Sequence, residues 1–153
     1  MRLSDYLRAD LVLPRLRERA LEGVLHEISR AVDAAGLGIH DVVADKLLER
    51  ERIHPTVMGS GLAIPHATIP GLTGPIVGIA LADEPVEFGP PDSEPVRLFF
   101  VLLSPPGFER EHVKILARIC RLVRHPDFID RLAAAGDSQG MVRVVEAVDA
   151  LHV

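Results

Sequence analysis

"VRLFFVLLSPPG", residues 96–107, holds six consecutive apolar residues, Leu98 to Leu103, closed by Ser104 and two prolines. A strand with one wet face alternates apolar and polar side chains, so an uninterrupted run marks a strand buried on both faces. Such a strand lies inside a sheet that has helices on either side. The flanking sequence supplies those layers. Downstream, "EREHVKILARICRLVRH" (109–125) sets Ile115, Leu116, Ile119, Leu122 and Val123 in one helical stripe. Lys114, Arg118, Arg121 and Arg124 form the opposite, basic stripe, and a last helix is expected over about 140–151. Upstream, "GLAIPH" and "GPIVGIALA" are short apolar segments bounded by Gly or Pro, which reads as strand. Between the last two strands, the proline-rich "DEPVEFGPPDSEPV" (83–96) reads as loop.

The first third is helical. In "RERALEGVLHEISRAVDAAG" (17–36), Leu21, Val24, Leu25, Ile28, Ala31 and Val32 recur at three- and four-residue spacing, and Gly36 is a natural stop. A second helix is expected from Asp41, as its N-cap, burying Val43, Leu47 and Leu48 and ending before His54-Pro55. Ahead of both, "DLVLP" (10–14) reads as a short strand closed by Pro14. The order helix, helix, strands, helix, helix predicts an α/β fold with a mixed central β-sheet flanked by helices on both faces. No repeat or interdomain linker interrupts it, so residues 1–153 are expected to form one domain.

Composition narrows the function. The chain is 48% hydrophobic and 25% charged, with 4% aromatics and no Trp, so Leu, Val, Ile and Ala must build the core. A net charge of -5 gives no electrostatic reason to expect nucleic acid or an anionic membrane surface as partner. Cys120 is the only cysteine, which excludes an internal disulfide and a thiolate zinc cluster. With no secretory leader in "MRLSDYLRADLVLP" and no run long enough to span a bilayer, a cytoplasmic location is expected.

Gly59-Ser60-Gly61 superficially resembles nucleotide and nucleophile motifs. Ile64 stands where a dinucleotide fingerprint needs its third glycine, no Gly-Lys-Ser/Thr follows, and Met58 replaces the first glycine of a nucleophile elbow. The pair reads as glycines allowing a tight backbone approach before a strand. Of the seven histidines, none forms a His-x-x-x-His pair, so no metal site is expected. His26, His40, His125 and His152 fall on polar helix faces or element ends and read as surface residues.

His66 differs. It ends the apolar run "LAI", where a strand should leave the sheet, and Pro65 stiffens that corner. A rigid, partly exposed imidazole suits a nucleophile, although a hydrogen-bonded structural histidine fits the same position. His112 lies in line with the buried stripe and in the first turn of its helix, where anions are attracted. Alone it is equally a core-edge histidine donating to a carbonyl. Arg50 has a fork that fits phosphate oxygens, but helix-end arginines are commonly solvated or paired.

Together these segments resemble a known family. "LLERERIHPTVMGSGLAIPHATI" (47–69) is similar to the active-site segment of the fructose/mannitol-type EIIA domains of the bacterial phosphoenolpyruvate:sugar phosphotransferase system. That family includes the nitrogen-regulatory EIIA proteins. "EHVKILARICRLVRHPDFIDRL" (111–132) resembles its second signature, and the opening "LSDYL" fits as well. The resemblance implies the EIIA mannitol/fructose-type fold, with His66 as the phosphorylated histidine and His112 and Arg50 as its phosphoryl-stabilising partners. Thr56, Ser60 and Gly61, close in sequence, are candidate phosphoryl-binding donors. The implied phosphoryl donor is HPr or its nitrogen-branch homologue, and the implied recipient is an EIIB domain or a regulatory target protein. No cofactor or metal is implied, because a phosphohistidine donor is already reactive. Two functions follow: a regulator governed by its phosphorylation state, or a transport component relaying phosphate to a sugar-specific EIIB. The lack of an attached EIIB or EIIC sequence inclines towards the regulator, and a binding module that has lost the chemistry is a third rival. The chain departs from the family in carrying Ala67 where glycine often follows Pro-His, and "HPTVM" before the glycines.

Overall fold

After a 3-10 turn at Leu3–Asp5, one strand, two helices, five strands and three helices follow in a computed structural model describing residues 1–152. They are β1 (Leu7–Leu16), α1 (Leu21–Ala34), α2 (His40–Ile53), β2 (Val57–Gly59), β3 (Leu62–Ala63), β4 (His66–Thr68), β5 (Ile76–Val86), β6 (Val96–Ser104), α3 (Glu109–Leu122), α4 (Phe128–Ala135) and α5 (Ser138–Leu151). The apolar run of 98–103 is the body of β6, which pairs with β5 on one side and with β3 and β4 on the other. Its side chains alternate between two cores, as the period of two requires. Phe99, Val101 and Leu103 face α1 and α2, whereas Leu98, Phe100 and Leu102 face α3, α4 and α5. Phe99 and Phe100 are both fully buried, each worth about 2–3 kcal/mol of hydrophobic stabilisation. The sheet is mixed: β5 runs antiparallel to β6, β3 and β4 parallel to it, and β1 parallel to β5.

Several local expectations are corrected. Pro14 does not close β1, which runs through it to Leu16. β1 is an edge strand, and its register with β5 slips between Leu13 and Leu16, where a residue without an N–H is tolerated. β5 likewise continues through Pro85, past a register break, until Val86 pairs with Val96, so the loop is shorter than its prolines suggest. α4 was not foreseen, because Pro126-Asp127 ends the preceding pattern. Arg118, assigned to the basic stripe, is buried and donates to the Asp149 carboxylate from Nε at 2.9 Å and Nη2 at 2.6 Å. Asp149 Oδ2 also accepts from Ser4 N–H at 2.9 Å, so this one carboxylate on α5 holds both α3 and the chain start.

α1 stops as expected. Gly36 takes φ +74°, with Gly36 N–H bonded to Asp33 O and Leu37 N–H to Val32 O, a Schellman closure. α2 then begins at His40, one residue before the expected cap at Asp41. Asp33 Oδ2 receives the His40 N–H at 2.8 Å, so the acceptor comes from the end of α1.

Gly59 (φ +82°), Ser60 (φ +54°) and Gly61 (φ +79°) make the hairpin joining β2 to β3. The expected close backbone approach is not their role, since a Cβ on Gly61 would meet nothing nearer than 3.9 Å. Their requirement is the left-handed backbone itself. Gly61→Ala is therefore expected to cost about 1 kcal/mol, read as a lower denaturant midpoint with unchanged slope.

Candidate active site

His66 follows a break in one long strand. β3 pairs with β6 at Leu98 and Phe99, and β4 resumes at Leu102 to Ser104, with Ile64-Pro65 between them. His66 thus opens a strand, where the sequence suggested the end of one. The break leaves the Ile64 carbonyl free to turn back, and it accepts a hydrogen bond from His66 Nδ1 at 2.7 Å. A carbonyl only accepts, so Nδ1 carries the proton and Nε2 keeps its lone pair. The backbone has fixed the tautomer.

His112 reaches the same place from the neighbouring strand. β6 ends at Ser104, and the short loop leads into α3, whose first turn holds His112. Ser104 Oγ lies 2.8 Å from His112 Nδ1, and the two imidazoles sit with centroids 5.3 Å apart at a 59° tilt. α2 supplies the third side: Arg50 donates from Nη1 to the His54 carbonyl at 2.8 Å, which anchors its guanidinium at the helix end. Arg50, His66 and His112 line one open cleft of about 390 Å³, with Lys46 and Glu49 from α2 and the buried Ala67 behind His66.

Burial lowers the pKa of His66 below the usual histidine range, with the Arg50 charge assisting and the Ile64 hydrogen bond opposing. His112 is pushed down to about 4, first by burial and then by the charges of His66 and Arg50. Both rings are neutral near pH 7. A ring whose pKa drops on folding takes its proton first in the unfolded chain, so acid favours unfolding. Stability is expected to fall as the pH drops from about 6.5, the ordinary histidine value, towards about 4. The half-exposed His112 contributes about 1–2 kcal/mol of that loss after allowance for solvent screening. Thermal melts across that range check it, with His112→Gln expected to flatten the profile.

Thr56, Ser60 and Gly61 are not brought to this cleft. Thr56 is buried, and its N–H and Oγ1 both bond to the Glu51 carboxylate, at 2.6 and 2.7 Å. Its hydroxyl therefore secures the turn from α2 to β2 and is not available to a phosphoryl group. Ser60 and Gly61 belong to the β2–β3 hairpin, where Ser60 N–H donates to Glu94. Sequence reasoning missed Ser104, whose partner His112 lies eight residues on, and Lys46, one helical turn before Arg50 on the same face. The i, i+4 spacing of Lys46 and Arg50 was the available signal. Ala67 has a packing reason: it is buried in the core beneath α1 and α2, where its methyl is enclosed. Nor are four of the other histidines simple surface residues. His26 meets His40 and His125 meets His152, each pair half-buried.

Comparison with known proteins places this architecture. Residues 5–148 match the family described as "Phosphoenolpyruvate-dependent sugar phosphotransferase system, EIIA 2". The chain is 35% identical over 146 residues to a nitrogen regulatory protein of Bradyrhizobium diazoefficiens, covering 95% of each. It is 33% identical to a fructose-specific EIIA component of Haloferax volcanii, covering 88% of this chain and 86% of that one. The fold superposes on the nitrogen regulatory protein IIA-Ntr of Neisseria meningitidis with a TM-score of 0.84 at 22% identity, covering 94% and 98% of the two chains. No helix among the described residues is long and apolar enough to cross a membrane. A match along nearly the whole chain, on a sheet whose broken strand presents His66, makes this protein a member of the EIIA 2 family of the phosphoenolpyruvate-dependent sugar phosphotransferase system.

Proposed function

We propose that the protein is a phosphohistidine carrier in which His66 Nε2 accepts a phosphoryl group from an HPr-type donor, and that it serves as a nitrogen-type regulator. The observation carrying this reading is the His66 Nδ1–H bond to the Ile64 carbonyl, which leaves Nε2 as the only nucleophilic nitrogen of a neutral ring. The Nε2 lone pair forms the new N–P bond in line while the donor's P–N bond breaks, and the departing imidazole keeps that electron pair. Positive charge developing on the His66 ring is shared through Nδ1–H with the carbonyl.

Charge spreads over the three equatorial oxygens in such a transfer. Arg50 and His112 supply donors to them, with Lys46 adding positive potential at the cleft. With Ser104 Oγ–H donating to Nδ1, the neutral His112 ring donates from Nε2–H, and a bound phosphoryl dianion raises its pKa from about 4. No metal enters any step.

The nitrogen regulatory relative, similar over 95% of the chain, favours the regulator. The fructose-specific relative supports a second reading, transport, in which phosphate passes to a fructose/mannitol-type EIIB. Incubation with labelled phosphoenolpyruvate, enzyme I and an HPr-type carrier tests the proposal. One acid-labile, alkali-stable label per chain is expected, and no label would overturn it. Addition of a purified fructose-type EIIB then separates the readings: a carrier for transport discharges its label, and a regulator retains it.

A further inference from the structure

The helical hairpin of α1 and α2 carries a second histidine pair, one that phosphoryl transfer at His66 does not use. His26 on α1 and His40 at the start of α2 bring Nδ1 and Nε2 to 2.8 Å, with the rings edge to face at a centroid distance of 4.9 Å. Asp41 Oδ1 lies 3.5 Å from His40 Nδ1, on the other side of that ring. One potential ligand atom from each of His26, His40 and Asp41 lies within 4.8 Å of the other two. The support beneath them is rigid, since His40 N–H is held by Asp33 and the Schellman closure at Gly36 fixes the connection.

We propose that His26, His40 and Asp41 form a binding site for a divalent transition-metal cation such as Zn²⁺. Two imidazole nitrogens that face each other can share one proton, and a cation of borderline softness takes that proton's place. With the N–H on His40 Nδ1, the Nε2 lone pair points at His26. His26 Nδ1 is then the donor of the N–H···N bond. When the ion enters, the His26 proton moves to Nε2, and both lone pairs converge on the metal with no change in the number of protons bound. The two nitrogens must separate from 2.8 Å to about 3.3 Å for a tetrahedral ion with metal–nitrogen bonds of about 2.0–2.1 Å. Asp41, whose side chain is 83% exposed, is free to swing in as third ligand, with water as the fourth. The ion clamps the start of α2 to α1, about 15 Å along the helix from Arg50.

Zn²⁺ titrated calorimetrically into the full chain tests this. One equivalent is expected to bind, with affinity at least tenfold weaker in His26→Ala and in His40→Gln, and unchanged in His66→Ala and His125→Ala. With excess Zn²⁺ the wild-type thermal midpoint is expected to rise by about 5 °C, and that of His40→Gln to stay put. Circular dichroism of the metal-free variants verifies that both fold. No binding by the wild type at millimolar Zn²⁺ would overturn the proposal. So would undiminished binding in His26→Ala and His40→Gln, or loss of binding in His66→Ala.

Discussion

His66→Ala is expected to take up no phosphoryl group from phosphoenolpyruvate, enzyme I and an HPr-type carrier, while the wild type is labelled once per chain. The loss should be complete within detection, more than about 10³-fold, because no other group can replace the lone pair that Pro65 and the Ile64 carbonyl aim into the cleft. His112 is the one other imidazole lining that cleft, and its Nδ1 is already engaged by Ser104 Oγ at 2.8 Å. Folding should survive the change, since His66 is only half-buried and anchors no core cluster. Residual labelling at the wild-type level would place the acceptor elsewhere.

The second large effect belongs to the groups that meet the transferring oxygens. Arg50→Ala and His112→Ala are each expected to slow transfer by about 10²–10³-fold while leaving His66 able to be labelled on long incubation. Removing a donor aimed at developing charge raises the barrier without removing the nucleophile. Rapid-quench measurement of label uptake checks it, and an unchanged rate in either variant would remove that residue from the proposed machinery. Ser104→Ala should produce a smaller, about tenfold, loss, because it removes the bond that orients His112 and no direct contact.

The sheet was legible because β6 wrote its two-sided burial directly into sequence, six apolar residues without a break. The helices of both layers were legible from their stripes, apart from α4, eight residues behind a proline and too short for its period to stand out. What local sequence hid was long-range. Arg118 reads as one more basic residue until Asp149 arrives beneath it from α5, and Pro14 reads as a stop until β1 is known to be an edge strand. The same distinction runs through the cleft. His66, His112 and Arg50 were found from residue chemistry joined to a family resemblance, and folding brings all three to one cavity. Thr56, Ser60 and Gly61 are near His66 in sequence only, and folding spends them on a turn and a hairpin. Ser104 carried no signal, because a serine after a strand gains meaning only when the next helix returns a histidine to it.

The central claim concerns one nitrogen. Phosphorylated protein labelled with ¹⁵N in its histidine rings, followed by phosphorus–nitrogen correlation NMR, identifies the atom that bears the phosphoryl group. The tautomer imposed by the Ile64 carbonyl predicts phosphorus coupled to Nε2 of His66, with His66 Nδ1 still protonated. Phosphorus coupled to Nδ1 of His66, or to any other histidine, would contradict it.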